Sequence, residues 1–132
     1  MPIKFKYDPD NNILYETGEG EVTYQDFAAY RKSLLARPAS TASKALVLCD
    51  YRTARVTLSS EEMWRIKRES DKVAEFFGGA KVAIVAPDDF GFGMARMYSM
   101  ASEPGDFEVG AFKTMAEACA WLGIEVPEGD IG

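Results

Sequence analysis

Ala45-Leu46-Val47-Leu48-Cys49-Asp50-Tyr51-Arg52 is the stretch that decides the fold. Its first five residues are apolar without interruption, too few for a buried helix. A half-exposed strand would alternate with polar residues. An unbroken run is what a central strand needs when both of its faces are covered. Val82-Ala83-Ile84-Val85-Ala86 repeats the pattern. Between the two runs, Ser59-x-x-Glu62 has the spacing of a capping box, in which each residue's side chain reaches the other's backbone amide. It opens a heavily charged helix to about Phe77, with Met63, Ile66, Val73 and Phe77 on the inner side, stopped by Gly78-Gly79. A doubly buried strand, a helix and another doubly buried strand imply parallel pairing through a crossover.

The rest of the chain extends this unit in both directions. Upstream, Ile3–Tyr7 alternates apolar and basic residues, as an edge strand does. Asp8-Pro9-Asp10-Asn11-Asn12 is turn chemistry, and Ile13–Thr17 begins a second strand. The connection is too short for a crossover, so these two strands form a hairpin. Glu16–Glu21, with its two glycines, reads as an exposed stretch. Thr23-x-x-Asp26 caps a helix that places Phe27, Tyr30, Leu34 and Leu35 on one face, and Pro38 ends it. Downstream, Asp88 or Asp89 starts a third helix to about Ala101, Pro104-Gly105 turns the chain, and Phe107–Phe112 forms a last strand. Thr114-x-x-Glu117 then caps a short helix, Met115–Leu122, closed by Gly123. The order is ββαβαβαβα. The fold class is α/β: a single mixed, mostly parallel sheet with helices packed on it. One domain spans residues 1–123, and residues 124–132 read as an acidic C-terminal tail.

Composition removes whole classes of chemistry. The chain of 132 residues contains no histidine. A Ser-His-Asp triad, a Cys-His pair and a histidine metal site are therefore excluded within it. A chain of this length buries roughly two thirds of its unfolded surface and needs no metal or disulfide staple. Cys49 and Cys119 form no CxxC pattern, and each lies in an apolar run, as small buried thiols in a reducing compartment do. The net charge of −6 disfavours nucleic acid as a partner. No apolar run approaches the roughly 20 residues of a membrane span, and the N-terminus lacks a signal-peptide core. A cytoplasmic protein with no cofactor, no bound metal and no membrane insertion is expected.

Three segments carry a family resemblance. The first is Leu46-Val47-Leu48-Cys49-Asp50-Tyr51-Arg52. The second is Phe92-Gly93-Met94-Ala95-Arg96-Met97-Tyr98, and the third is Phe112-Lys113-Thr114-x-x-Glu117-Ala118-x-x-Trp121-Leu122. With the element order, they make the chain resemble the SpoIIAA-like family of STAS-type domains over roughly residues 3–123. The resemblance implies a non-catalytic module that binds a partner protein, controlled in the anti-sigma factor antagonists by phosphorylation of a serine at the start of the second helix. Those domains carry Asp-Ser-Ser-Gly there. This chain has Leu58-Ser59-Ser60-Glu61, which keeps both serines as phosphorylation candidates but sets Glu61 and Glu62 against a phosphate. The fold class also resembles the CRAL-TRIO lipid carriers, which implies an alternative: a pocket for a small apolar or amphipathic anion such as a fatty acyl group.

The residues themselves offer three candidate sites. Asp50–Arg55 reads as a loop after a central strand, where open α/β sheets bind ligands. There Arg52 and Arg55 are suited to a carboxylate or phosphate, or else Asp50 pairs with an arginine to order the loop. Phe90-Gly91-Phe92-Gly93 reads as an anion nest or as a plain helix-starting turn; it lacks the third glycine of a dinucleotide fingerprint. Phe90, Met94, Met97 and Ala101 form a soft apolar stripe, of core or of an adaptable surface, with Arg96 pointing away from it. For catalysis, Asp50, Glu62, Asp88 and Asp89 are the acids and Cys49 the nucleophile, but no pair stands at useful spacing. Charge is uneven. Residues 1–87 carry 13 basic and 12 acidic side chains, whereas residues 88–132 carry 2 and 9. A polarised surface of this kind suits a partner protein or a homodimer.

Overall fold

A computed structural model of the chain describes residues 2–35, 45–77, 81–100 and 108–127. The expected order is present: β1 (Ile3–Asp8), β2 (Ile13–Val22), α1 (Tyr24–Leu35), β3 (Leu46–Val56), α2 (Ser60–Phe77), β4 (Lys81–Val85), α3 (Asp89–Met100), β5 (Glu108–Phe112) and α4 (Met115–Leu122). The strands lie in the order β1-β2-β3-β4-β5. β1 runs antiparallel to β2, and every later neighbour is parallel.

The hairpin turn follows from its residues. The Asp8 carboxylate accepts from the amides of Asp10 and Asn11, and Asn12 takes the left-handed conformation that asparagine tolerates. The parallel crossovers then advance across the sheet in one direction. Crossovers of one hand moving one way place α1, α2 and α3 on the same face. Only α4, after the last strand, folds onto the other. Each face has its own core. On the first, Leu14, Val22, Val47, Cys49 and Tyr51 pack with Tyr30 and Phe27 of α1. On the second, Leu48, Ala83 and Val85 pack with Met115, Ala118, Cys119 and Leu122 of α4. The alternation of Val47 and Cys49 against Leu48 is why β3 reads as an unbroken apolar run.

The three capping boxes form as spaced. Thr23 and Asp26, and Ser59 and Glu62, each accept from the other's backbone amide at the starts of α1 and α2, while at α4 the Thr114 hydroxyl accepts from the Glu117 amide and donates to the Glu117 carboxylate. Gly123 closes α4 at φ 78°, where a side chain would be strained. The Ile124 amide donates to Cys119 O, and its side chain packs on the second core.

Two expectations about the first half need correction. The stretch Glu16–Glu21 is not an exposed connection, because β2 continues through it to Val22. Asp50–Arg55 is likewise not a loop, because β3 runs on to Val56. The two extensions pair with each other, Glu19–Val22 against Thr53–Val56. Between Thr17↔Asp50 and Glu19↔Thr53, two residues of β3 oppose one of β2, which is a β-bulge. The bulge reverses the alternation. Before it, odd-numbered residues of β3 face the first core; after it, Ala54 and Val56 do. A period-two reading fails at that point. The side chains of Leu34, Leu35, Val73 and Phe77, together with Pro38, Ala101, Phe107 and residues 128–132, lie outside what is described.

Candidate functional site

The site begins where β4 leaves β3. Their pairing ends at Asp50↔Val85. The next residue, Ala86, donates its amide to Phe112 O on the opposite side. Pro87 has no amide to donate. Asp88 then caps α3, its carboxylate accepting from the Gly91 amide at 2.6 Å and its carbonyl from the Phe92 amide at 2.9 Å. The five pairs between Leu46–Asp50 and Lys81–Val85 are thus the whole of the β3–β4 ladder. Beyond them, after the bulge at Tyr51 and Arg52, Thr53–Val56 pairs with β2 alone among the described residues. A groove of about 720 Å³ opens beside this strand end, lined by Arg55, Val56, Thr57, Leu58, Ser59 and Asp88. It lies at the carboxyl ends of parallel strands, where open α/β sheets place their ligands.

The two arginines take different positions. Arg52 binds Asp50 in bidentate fashion, Nε to Oδ1 at 2.9 Å and Nη2 to Oδ2 at 2.8 Å, and its amide also donates to Oδ1. The Asp50 side chain is 8% exposed, so this pair is an organising contact at the bulge. Arg55 reaches Glu21 at 3.3 Å, with both side chains well exposed. It borders the groove; Arg52 does not line it.

The remaining predicted residues divide between this groove and α3. Ser59 lines the groove, and its hydroxyl accepts from the Glu62 amide at 3.1 Å. Ser60 is exposed at the first residue of α2, followed by Glu61 and Glu62. Phe90-Gly91-Phe92-Gly93 lies inside the first turn of α3, and the Gly91 amide is taken by Asp88, so this segment starts a helix and forms no anion nest. Phe92 is half-buried beneath the Lys113 ammonium, 5.2 Å from its ring centre, and Lys113 also reaches Asp89 at 3.1 Å. Met94 and Met97 are half-buried, Ala95 is buried and Arg96 is exposed. The Phe90 side chain lies outside what is described. Arg52 is bonded to Asp50 and lies close enough to Cys119 of α4 to act on its thiol, whereas Phe92 and Arg96 stand on α3.

Sequence reasoning missed a polar cluster inside the first core. Glu16 faces Cys49 across the β2–β3 ladder, and the Tyr51 hydroxyl donates to its carboxylate. Burial raises the Glu16 carboxyl above its ordinary value, while hydrogen bonds from Tyr51, Tyr30 and Cys49 and the charge of Arg31 pull it back. Burial, reinforced by Glu16, pushes the Cys49 thiol and the Tyr51 hydroxyl well up. A thiol so placed is a poor nucleophile. The signal was present in Leu14-x-Glu16-x-Gly18, which shares the core-facing period of the strand. Glu and Gly ordinarily mark exposed backbone, and that composition masks the period. Gly18 is required by close approach: a Cβ there would stand 2.3 Å from Cδ1 of the Tyr51 ring.

Similarity to solved structures follows the same architecture. An uncharacterised protein of the DUF3478 family from Shewanella loihica PV-4, described as having a SpoIIAA-like fold, superposes with a TM-score of 0.55 over 91% of each chain at 22% sequence identity. The chain has a SpoIIAA-like fold. No protein-family model and no curated protein sequence matches it. Among the described residues, no helix of this SpoIIAA-like chain is long and apolar enough to cross a membrane.

Proposed function

We propose that the protein is a non-catalytic interaction module whose partner engages the carboxyl end of the sheet. The observation that carries this reading is the groove beside the outward end of β3, with Val56 and Leu58 against Arg55 and Asp88. Such a mixture of apolar and charged lining is what a protein partner uses. Three further points support a non-catalytic role. The chain has no histidine. The Cys49 thiol is buried with its pKa raised. Asp50 and Asp88 are committed to structural hydrogen bonds. Ser59 at the groove is used by the capping box, Ser60 stands exposed beside it, and the adjacent Glu61 and Glu62 disfavour a phosphate on either, so binding in this reading is not phosphorylation-gated.

The test is tagged pull-down from native lysate with quantitative mass spectrometry, run in parallel on the chain and on Leu58→Asp. A stoichiometric partner lost in the variant supports the groove. A partner retained equally by both moves the interface elsewhere, and a second copy of the chain as sole partner makes the module a homodimer. A fatty acyl ligand is the other reading; an acyl chain found by native mass spectrometry on fresh protein would favour it. The charged border of the groove favours the protein partner.

A further inference from the structure

We propose that the outward half of β3 is a strand-addition site, and that its partner is an extended peptide segment with apolar and acidic side chains in alternation. This rests on the groove being a partner-binding site and specifies how the partner is held. The Thr57 amide donates to Val22 O, so Thr57 faces β2. Backbone groups alternate in direction along a strand, so Ala54 and Val56 direct their N–H and C=O groups away from β2. On that side, β4 has already turned toward β5 and Pro87 blocks its continuation. The Arg52 amide is held by the Asp50 carboxylate, which ends the ladder locally. Ala54 and Val56 therefore turn two donors and two acceptors away from β2, along the edge where Val56 borders the groove, and no strand of the described residues pairs with β3 on that side.

Their chemistry selects the occupant. A row of alternating backbone donors and acceptors is matched by another extended backbone, the recognition mode of domains that take a peptide as an extra strand. A small molecule does not repeat at the strand period. The side chains select its pattern. Residues of an added strand would point alternately to the two faces of the sheet. On one face they meet Val56 and Leu58, which favour apolar residues. On the other they meet Arg55, whose side chain is 78% exposed and bonded to Glu21 at only 3.3 Å, and which favours a carboxylate. Exposed strand edges are normally blunted by charge, bulges or short length. The bulge and the two arginines act in that way here, limiting self-pairing because Arg55 would face its own copy in a symmetric antiparallel dimer centred there.

The test uses the full chain and a phage-displayed library of short random peptides. Selected peptides are synthesised, and their contacts are mapped by amide shifts in the isotopically labelled protein. Binders are expected to alternate apolar and acidic residues and to shift the amides of Ala54 and Val56. An N-methyl scan along the peptide supplies the readout that strand addition alone predicts. Methylation at every second amide should weaken binding on the order of fivefold each, the worth of one backbone hydrogen bond, and methylation at the intervening amides should leave it within about twofold. Arg55→Glu should weaken the acidic peptides without altering that alternation. If peptides shift the groove residues but the N-methyl scan is flat, strand addition is overturned and the groove remains a binding site. If no selected peptide shifts Ala54, Val56 or Leu58, both readings fall.

Discussion

The two halves of β3 differ in everything except being one strand. Leu46–Asp50 is flanked by β2 and β4, carries Leu48 at 0% exposure and separates the two cores. Tyr51–Val56 has β2 on one side and the groove on the other, and it exposes Arg52, Thr53 and Arg55. The inner half is held by apolar contact on both faces, whereas the outer half is held by one ladder and one packed face. Stability is concentrated in the inner half, and the outer half leaves surface for use. Pro87 and Asp88 draw the boundary, because one cannot extend β4 and the other commits the chain to α3.

Substitution in the inner half should cost the most. Leu48→Ala deletes a side chain packed between Ala83, Val85 and α4, leaving a cavity in a layer that cannot collapse far. A loss of about 3 kcal/mol is expected from urea unfolding, within the usual range for buried leucine. A loss under about 1 kcal/mol would mean that the sheet's second face is not the core described. The junction between the halves is expected to be next in cost. Gly18→Ala places a Cβ against the Tyr51 ring, so the ring must move off the strand; a loss of about 2 kcal/mol is expected in the same assay. Tyr51→Ala in the Gly18→Ala background should then show strong coupling, because the first substitution removes the group that the second strikes.

The outward half was the part least legible from the residues, and the reason is physical. Leu46–Cys49 announces itself because burial on two faces demands apolar residues at every position. Tyr51–Val56 has polar side chains on its exposed face and a bulge that moves the core-facing residues from Tyr51 to Ala54 and Val56. Its signature is therefore neither a run nor an alternation. Arg52 and Arg55 carry the chemistry of a functional loop in the residues alone, and only the pairing of Thr53–Val56 with Glu19–Val22 shows that this segment is strand. The capping boxes, by contrast, were fully legible, because Thr23, Ser59 and Thr114 act within their own first turns. Glu16 was not, because its burial depends on α1 folding across the sheet.

Glu16 makes the inner half's stability depend on pH. Its carboxyl is raised in the folded chain, chiefly by burial, so the folded state holds a proton more tightly than the unfolded state. Its contribution is fully present below the unfolded value and is lost as pH rises through the raised folded value. Stability should therefore fall with rising pH across that window, by a slope of at most one proton. Glu16→Gln keeps an acceptor for the Tyr51 hydroxyl and cannot ionise, so the slope from this residue should vanish. Urea titrations of both proteins from acid to neutral pH would decide it. Equal slopes would place the carboxyl in contact with solvent.

Arg55→Ala should have the smallest effect on stability, and that is its value. Its pair with Glu21 joins two exposed side chains at 3.3 Å, and such pairs contribute little once side-chain entropy and salt screening are counted. A change within about 0.5 kcal/mol is expected. Were the outward half held as firmly as the inner, by a buried or cooperative network, removal of Arg55 would cost several times more. A near-silent substitution on stability that nevertheless lowers partner recovery would separate the two halves by what they do. Leu48 would carry the fold without touching a partner, and Arg55 would touch the partner without carrying the fold. The same strand can serve both ends because the β4 ladder ends at Asp50, where Arg52 closes the bulge, and on that side of the residues beyond it no strand of the described residues is paired.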